Sequence, residues 1–153
     1  MTTPSIHEWL GGTDALLRLT EVFYAKVRQD PVLAPVFADM GDDHPAHVAT
    51  WLAEVFGGPA EYTAHHGGHA GMARHHLGRG ITEEQRRRWV GLLQDAADEA
   101  GLPTDPESRA VFAYYVEWGS RMAIIYSGAA PPPIDESVEV PRWGWGQTPP
   151  WEG

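Results

Sequence analysis

ARHHLGRGITEEQRRRWVGLL, residues Ala73 to Leu93, changes character halfway along. Its first eight residues hold two histidines, two arginines and two glycines. Glycine loses more backbone entropy on folding than any other residue, so this half reads as irregular chain. From Thr82 the pattern reverses. Thr82 and Gln85 have the spacing of a capping box, in which each side chain satisfies the other residue's backbone N–H. Trp89, Leu92, Leu93 and Ala96 then recur on one helical face, and Gly101 closes the element. A histidine thus stands on glycine-rich chain directly ahead of a rigid helix whose inner face opens with tryptophan.

Outward from this stretch, every periodic segment is helical. Towards the N-terminus, Thr13 after Gly11-Gly12 is the expected N-cap of a helix carrying Leu16, Leu19, Phe23 and Val27, ended by Asp30-Pro31. The short segment VLAPVF leads to Phe37. Pro45 suits the first turn of the next helix, with Val48, Trp51, Leu52 and Val55 on one face and Gly57-Gly58-Pro59 as its stop. Ala60 to Gly80, rich in glycine and histidine, shows only weak periodicity and is expected to be irregular. Towards the C-terminus, Asp105-Pro106 opens a long helix with Val111, Tyr115, Trp118, Met122 and Ile125 at heptad-like spacing. No β-hairpin signal occurs before residue 128, so the fold class is all-α.

The chain divides at that point. Residues 1–128 form the helical domain, and residues 129–153 form a Pro/Trp-rich tail. The tail holds six of the 13 prolines and three of the seven tryptophans. Proline rules out regular helix there. Three tryptophans are costly to leave in water, so at least one of Trp143, Trp145 and Trp151 is expected to pack on the globule as part of a strap. A partner-binding peptide is the other reading of the tail.

Composition narrows the chemistry. A length of 153 residues with 42% hydrophobic content suits one core. Eleven Lys+Arg against 21 Asp+Glu give a net charge of −10, which argues against nucleic acid or an anionic membrane as the main partner. No apolar run approaches the ~20 residues a bilayer span needs. MTTPSIHEWLGG lacks the basic and apolar regions of a secretory signal, so a cytoplasmic location is expected. The absence of cysteine removes disulfides, thiolate ligands and Cys nucleophiles.

What remains is histidine. Five lie between His65 and His76, with His44 and His47 upstream. One reading is a solvated polar loop. A second is a divalent-metal site using the His65/His69 and His66/His69 spacings, but no carboxylate completes a ligand motif and Gly67-Gly68 interrupts the helical face it needs. A third is a planar metal cofactor buried among the helices, with one neutral imidazole on its metal and an aromatic pocket opposite, as helical folds hold haem.

Four motifs, in order, resemble those of the truncated haemoglobins, bacterial 2-on-2 globins, and specifically group II. They are Gly11-Gly12, FYAKVRQDPVL (Phe23–Leu33), WLAEVFGGPAEYT (Trp51–Thr63) and HLGRGITEEQRRRW (His76–Trp89). The resemblance spans Gly11 to about Tyr126. It implies a 2-on-2 helical sandwich, the family's helices B and E over G and H, binding haem b. His76, thirteen residues before Trp89, matches the proximal iron ligand. Tyr24 and Trp89 match the distal groups that stabilise a bound ligand. Phe37 takes the aromatic position on the haem face, where some relatives have tyrosine. His44 falls near the distal position beside Pro45 at the helix start, with Val48 and Trp51 further along the pocket wall. His75, Arg74 and Arg79 stand at the haem edge as candidate propionate partners. By spacing alone, Tyr24 and Trp89 also fit an ordinary core, and Arg79 a solvated loop charge.

The function this implies is binding of O₂, and of other diatomic ligands, at a five-coordinate iron. Hydrogen bonds from Tyr24, Trp89 and His44 would each add ~1–3 kcal/mol of ligand stabilisation. The alternative is a redox enzyme, an NO dioxygenase or peroxidase-like protein, drawing electrons from an external reductase. A haem-free His-rich metal binder is the third reading. Monomer and homodimer are both compatible with the sequence.

Overall fold

The structure, a computed structural model, describes residues 2–146. Within them the chain forms seven α-helices and no strand: α1 (Ile6–Leu10), α2 (Gly12–Gln29), α3 (His44–Val55), α4 (Glu61–His66), α5 (Gly68–His76), α6 (Glu83–Glu99) and α7 (Pro106–Ser127). The layers are set by the four long helices. α2 packs most extensively on α3, and α6 packs on both α2 and α7. Side chains bridge the layers at Phe23–Trp89 and Phe56–Phe112. Among the described residues no helix is long and apolar enough to cross a membrane.

The ends of the helices follow local chemistry. α1 was not read from periodicity, yet Ser5 and Glu8 form a complete capping box for it. Gly11, at φ 108°, closes α1 and opens α2 in one residue, a left-handed conformation that glycine alone adopts without strain. Thr13, expected as the N-cap, therefore lies inside α2, and its hydroxyl meets His7 Nε2 at 2.9 Å. The Thr82/Gln85 box and the Asp105 cap form as expected. Asp30 ends α2 and is buried. One of its oxygens accepts from the backbone N–H groups of Val32 and Leu33, the other from Arg88 at 2.5 Å.

Two expectations fail. Ala60–Gly80 is mostly helical, in α4 and α5 separated by Gly67 at φ 82°. Its periodicity is weak because each piece is too short to show one. The heptad stripe of α7 also drifts: Val111 and Tyr115 are buried, but Ile125 is 43% exposed and Tyr126 takes the inner face. A straight helix turns every 3.6 residues, so a 3.5-residue repeat walks about 20° per heptad off the core.

The tail packs on the globule. Val140 and Trp143 are buried, and the backbone N–H of Trp143 donates to the carbonyl of Val55 at 2.7 Å, satisfying a carbonyl at the end of α3. Trp145 Nε1–H donates to the Pro4 carbonyl at 2.7 Å, and its ring meets Trp9 edge-on. Glu136 pairs with Arg74 of α5. Trp151 lies outside the described residues.

Candidate functional site

The first wall comes from α2, the turn region after it, and the start of α3. Tyr24 follows Phe23 in the buried stripe of α2, and its ring meets Phe37 at 5.6 Å and His44 at 4.9 Å. Phe37 and His44 are themselves 6.0 Å apart, so three rings from three segments close on one another. Pro45 in the first turn starts α3 directly at His44, and the contact with Tyr24 holds the imidazole inward. His44 Nε2 lies 3.0 Å from the Tyr24 hydroxyl. Trp89 joins from α6 through its edge contact with Phe23 at 5.6 Å. Val48, one turn after His44 on the same stripe, is half-buried, as are Phe37 and Trp89. Trp51, the next position of that stripe, points further inward, where its indole N–H donates to the Tyr115 hydroxyl at 2.5 Å.

Burial fixes the protonation of this wall. It pushes the Tyr24 phenol up and, as the main cause, pushes His44 down to about 4. Both groups are neutral at physiological pH. They offer hydrogen bonds and no net charge.

The second wall is α5, and it is held by side chains rather than by a hydrophobic stripe. Buried Glu54 of α3 accepts from the Thr63 N–H at 2.9 Å and from its hydroxyl at 2.5 Å, capping α4 from outside. His69 Nε2 meets the Tyr126 hydroxyl at 3.1 Å, and Arg74 pairs with Glu136 of the tail. His76, the last residue of α5, is half-buried, and its Nδ1–H donates to the Met72 carbonyl at 2.9 Å. A carbonyl can only accept. The proton therefore sits on Nδ1 and the Nε2 lone pair is free for a metal. Burial, the largest influence, keeps this imidazole neutral by pushing its pKa down. The Arg79 charge adds to the lowering at both His44 and His76.

The candidates at the edge divide. His75 is exposed. Arg79 turns back to the His75 carbonyl at 2.5 Å, and Arg74 is drawn to the tail by Glu136 rather than standing free for a propionate. His47 and His66, read in the sequence only as members of the histidine cluster, bring their rings within 4.3 Å at a tilt, and the Met72 carbonyl was not anticipated. The (i, i+4) relation of Met72 to His76 signals that carbonyl only once the segment is known to be helical. Among the described residues no three His, Asp or Glu side chains gather to hold a bare metal ion.

A neutral imidazole with a free Nε2 on one helix, and a phenol in an apolar aromatic cluster on others, are the groups a haem site needs. Two helical layers with those groups define a globin. The comparisons agree. The bacterial-like globin profile matches residues 5–114. Group 2 truncated hemoglobin YjbI of Bacillus subtilis (strain 168) is 33% identical over 91 residues, covering 60% of this chain and 68% of that one. The hemoglobin of the thermophilic phototrophic bacterium Chloroflexus aurantiacus superposes with a TM-score of 0.71 at 30% identity, over 80% of this chain and 98% of that chain. The truncated oxygen-avid haemoglobin of Bacillus subtilis superposes with a TM-score of 0.70 at 28% identity, over 79% and 99%. The chain belongs to the bacterial-like globins and stands among the group II truncated haemoglobins, with their 2-on-2 sandwich and a haem cofactor.

Proposed function

We propose that this globin binds haem b through His76 Nε2 and holds O₂, or another diatomic ligand, on the opposite face under Tyr24, His44 and Trp89. The haem supplies an iron that coordinates the diatomic ligand; the chain's own residues do the rest. The observation that carries the reading is the pairing of the His76 Nδ1–H···Met72 carbonyl bond with the Tyr24–His44 contact. The first fixes the tautomer that a metal requires. The second decides what the pocket offers a ligand.

Only one proton fits between Tyr24 Oη and His44 Nε2, so two arrangements exist. When Tyr24 donates to His44, the phenol is spent on the imidazole. When His44 in its Nε2–H form donates to the Tyr24 oxygen, the phenol proton turns into the pocket. A ligand that draws negative charge selects the second arrangement, and His44 becomes the group that aims Tyr24. Trp89 supplies a second donor from α6. Such bonds contribute ~1–3 kcal/mol each, about ten- to a hundredfold in residence time. That supports slow ligand release, in keeping with the oxygen-avid character given to the Bacillus subtilis protein.

Absorption spectra of the purified protein test the reading. A Soret band in the ferric form, with ferrous and O₂-exposed spectra typical of a histidine-ligated haem, is expected. A colourless protein that takes up no added haem would overturn it.

A further inference from the structure

One set of aromatic rings leads from the pocket wall away from the ligand-stabilising groups. Trp51 lies on the α3 stripe that begins with His44 and Val48, and its indole N–H donates to Tyr115 of α7 at 2.5 Å. The Tyr115 ring meets Trp143 of the tail at 6.0 Å. Trp143 meets Tyr114 at 5.9 Å. A parallel branch runs from Tyr115 to Trp118 at 6.3 Å and from Trp118 to Trp143 at 5.8 Å. The series begins on the buried face of α3 and ends at Tyr114, which is 53% exposed. Core packing accounts for Trp51, Tyr115 and Trp143. It does not require an oxidisable ring at a half-exposed position seated on the same cluster.

We propose that Trp51, Tyr115, Trp143 and Tyr114 form an electron path from the protein surface to the haem site, with Tyr114 as a surface site at which small phenolic reductants are oxidised. This rests on the haem reading above. Indole and phenol are the side-chain rings that give up one electron to a strong oxidant, whereas benzyl and imidazole rings do not. Tunnelling falls off exponentially with distance, so several ring-to-ring steps outrun a single long one. The other branch from Trp51, through Tyr62 at 5.1 Å, runs into the imidazoles of His66 and His47, which do not give up an electron.

Protons decide where the oxidation comes to rest. Tyr115 is buried, its oxygen already faces the Trp51 N–H donor, and burial pushes its phenol up. With nowhere to send a proton, it relays rather than stores. Trp143 passes charge as an indole cation without proton loss. At Tyr114 the phenolic proton leaves to water, and a neutral radical remains at the surface. With hydrogen peroxide as the oxidant, each molecule takes two electrons and two protons and becomes two waters. Tyr114 delivers the electrons one at a time, and each is restored with its proton by a phenol in solution. Two phenols are thereby converted to two phenoxyl radicals.

The test uses the haem-loaded full chain, hydrogen peroxide and a nitrone spin trap, with peptide mass spectrometry to locate the adduct. The parent should carry the adduct on Tyr114. Trp143→Phe and Tyr115→Phe should each lose most of it while keeping the Soret band, and Tyr114→Phe should slow oxidation of guaiacol. Tyr115→Phe keeps a ring beneath Trp143, so it guards against loss of the tail contact being mistaken for loss of the path. An adduct on Tyr114 that survives both substitutions marks simple surface oxidation and overturns the path. So does an adduct that forms only on other residues. A protein with no Soret band overturns the haem reading itself, and the path with it.

Discussion

The two candidate walls of the haem site are built by different rules. Tyr24 and Phe23 belong to an 18-residue helix whose buried stripe continues through Leu16, Leu19 and Val27, and His44 follows from Pro45 at the head of another long helix. Hydrophobic burial along a whole face holds that wall. The opposite wall stands on helices of six and nine residues, shorter than the ~12–15 at which an isolated helix becomes even marginal in water. Specific contacts hold it instead: Glu54 on Thr63, His69 on Tyr126, Arg74 on Glu136 and Met72 on His76. The wall proposed to meet the diatomic ligand is thus fixed by packing. The wall expected to grip the cofactor is fixed by a handful of polar bonds.

The sharpest way to break this comparison is at His76. His76→Ala should abolish haem retention, seen as loss of the Soret band, while His75→Ala stays loaded because His75 is exposed at the rim. The reverse outcome would shift the ligand by one residue.

Next in size is the tail. Deleting Pro131–Gly153 exposes the surface that Val140 and Trp143 cover and frees Arg74. Burial of such side chains contributes ~1.5–3 kcal/mol each, so a melting temperature lower by roughly 10 °C is expected. Haem should remain, because neither wall lies in the tail. An unchanged melting temperature would make the strap incidental.

A smaller effect is expected at the packed wall. Tyr24→Phe keeps the ring that meets Phe23, Phe37 and His44 and removes only the hydroxyl. O₂ release measured by stopped flow should accelerate about tenfold, the equivalent of one lost hydrogen bond. A change within twofold would return Tyr24 to the core. Trp89→Phe should also speed release, and because both groups would touch one ligand, a double-mutant cycle should show non-additivity.

The smallest effect is one of pH. The His44 pKa is lower in the folded protein, about 4, than its ordinary value of 6.5, so the unfolded chain takes up the proton first. This contribution is whole above pH 6.5 and is lost as pH falls from 6.5 to about 4. Urea melts across that window should show a shallower acid decline for His44→Leu than for the parent. Equal slopes would mean that His44 is not held neutral by its surroundings.

What the sequence disclosed follows the same division. The long helices and the Thr82/Gln85 box were legible because they rest on periodicity and local capping, whereas Tyr24 and Trp89 stood out from ordinary core only through the family resemblance. α4 and α5 were not, because the contacts that make them helical come from residues distant in sequence: Tyr126 lies 57 positions from His69. The inward turn of His44 depended on Tyr24, twenty residues away, and no local rule reports that. Thr13 misled because Gly11 already did the capping.

The tail carries one more consequence, for the order in which the chain can settle during synthesis. Trp145 closes on Pro4 across 141 positions, and Trp9 reaches Asp105 across 96. Helix α1 therefore waits for residues made long after it before its contacts are complete. Its backbone amides should gain protection from hydrogen exchange late in refolding, after α2 and α3 have paired. A segment made well before the tail would be fixed only together with it.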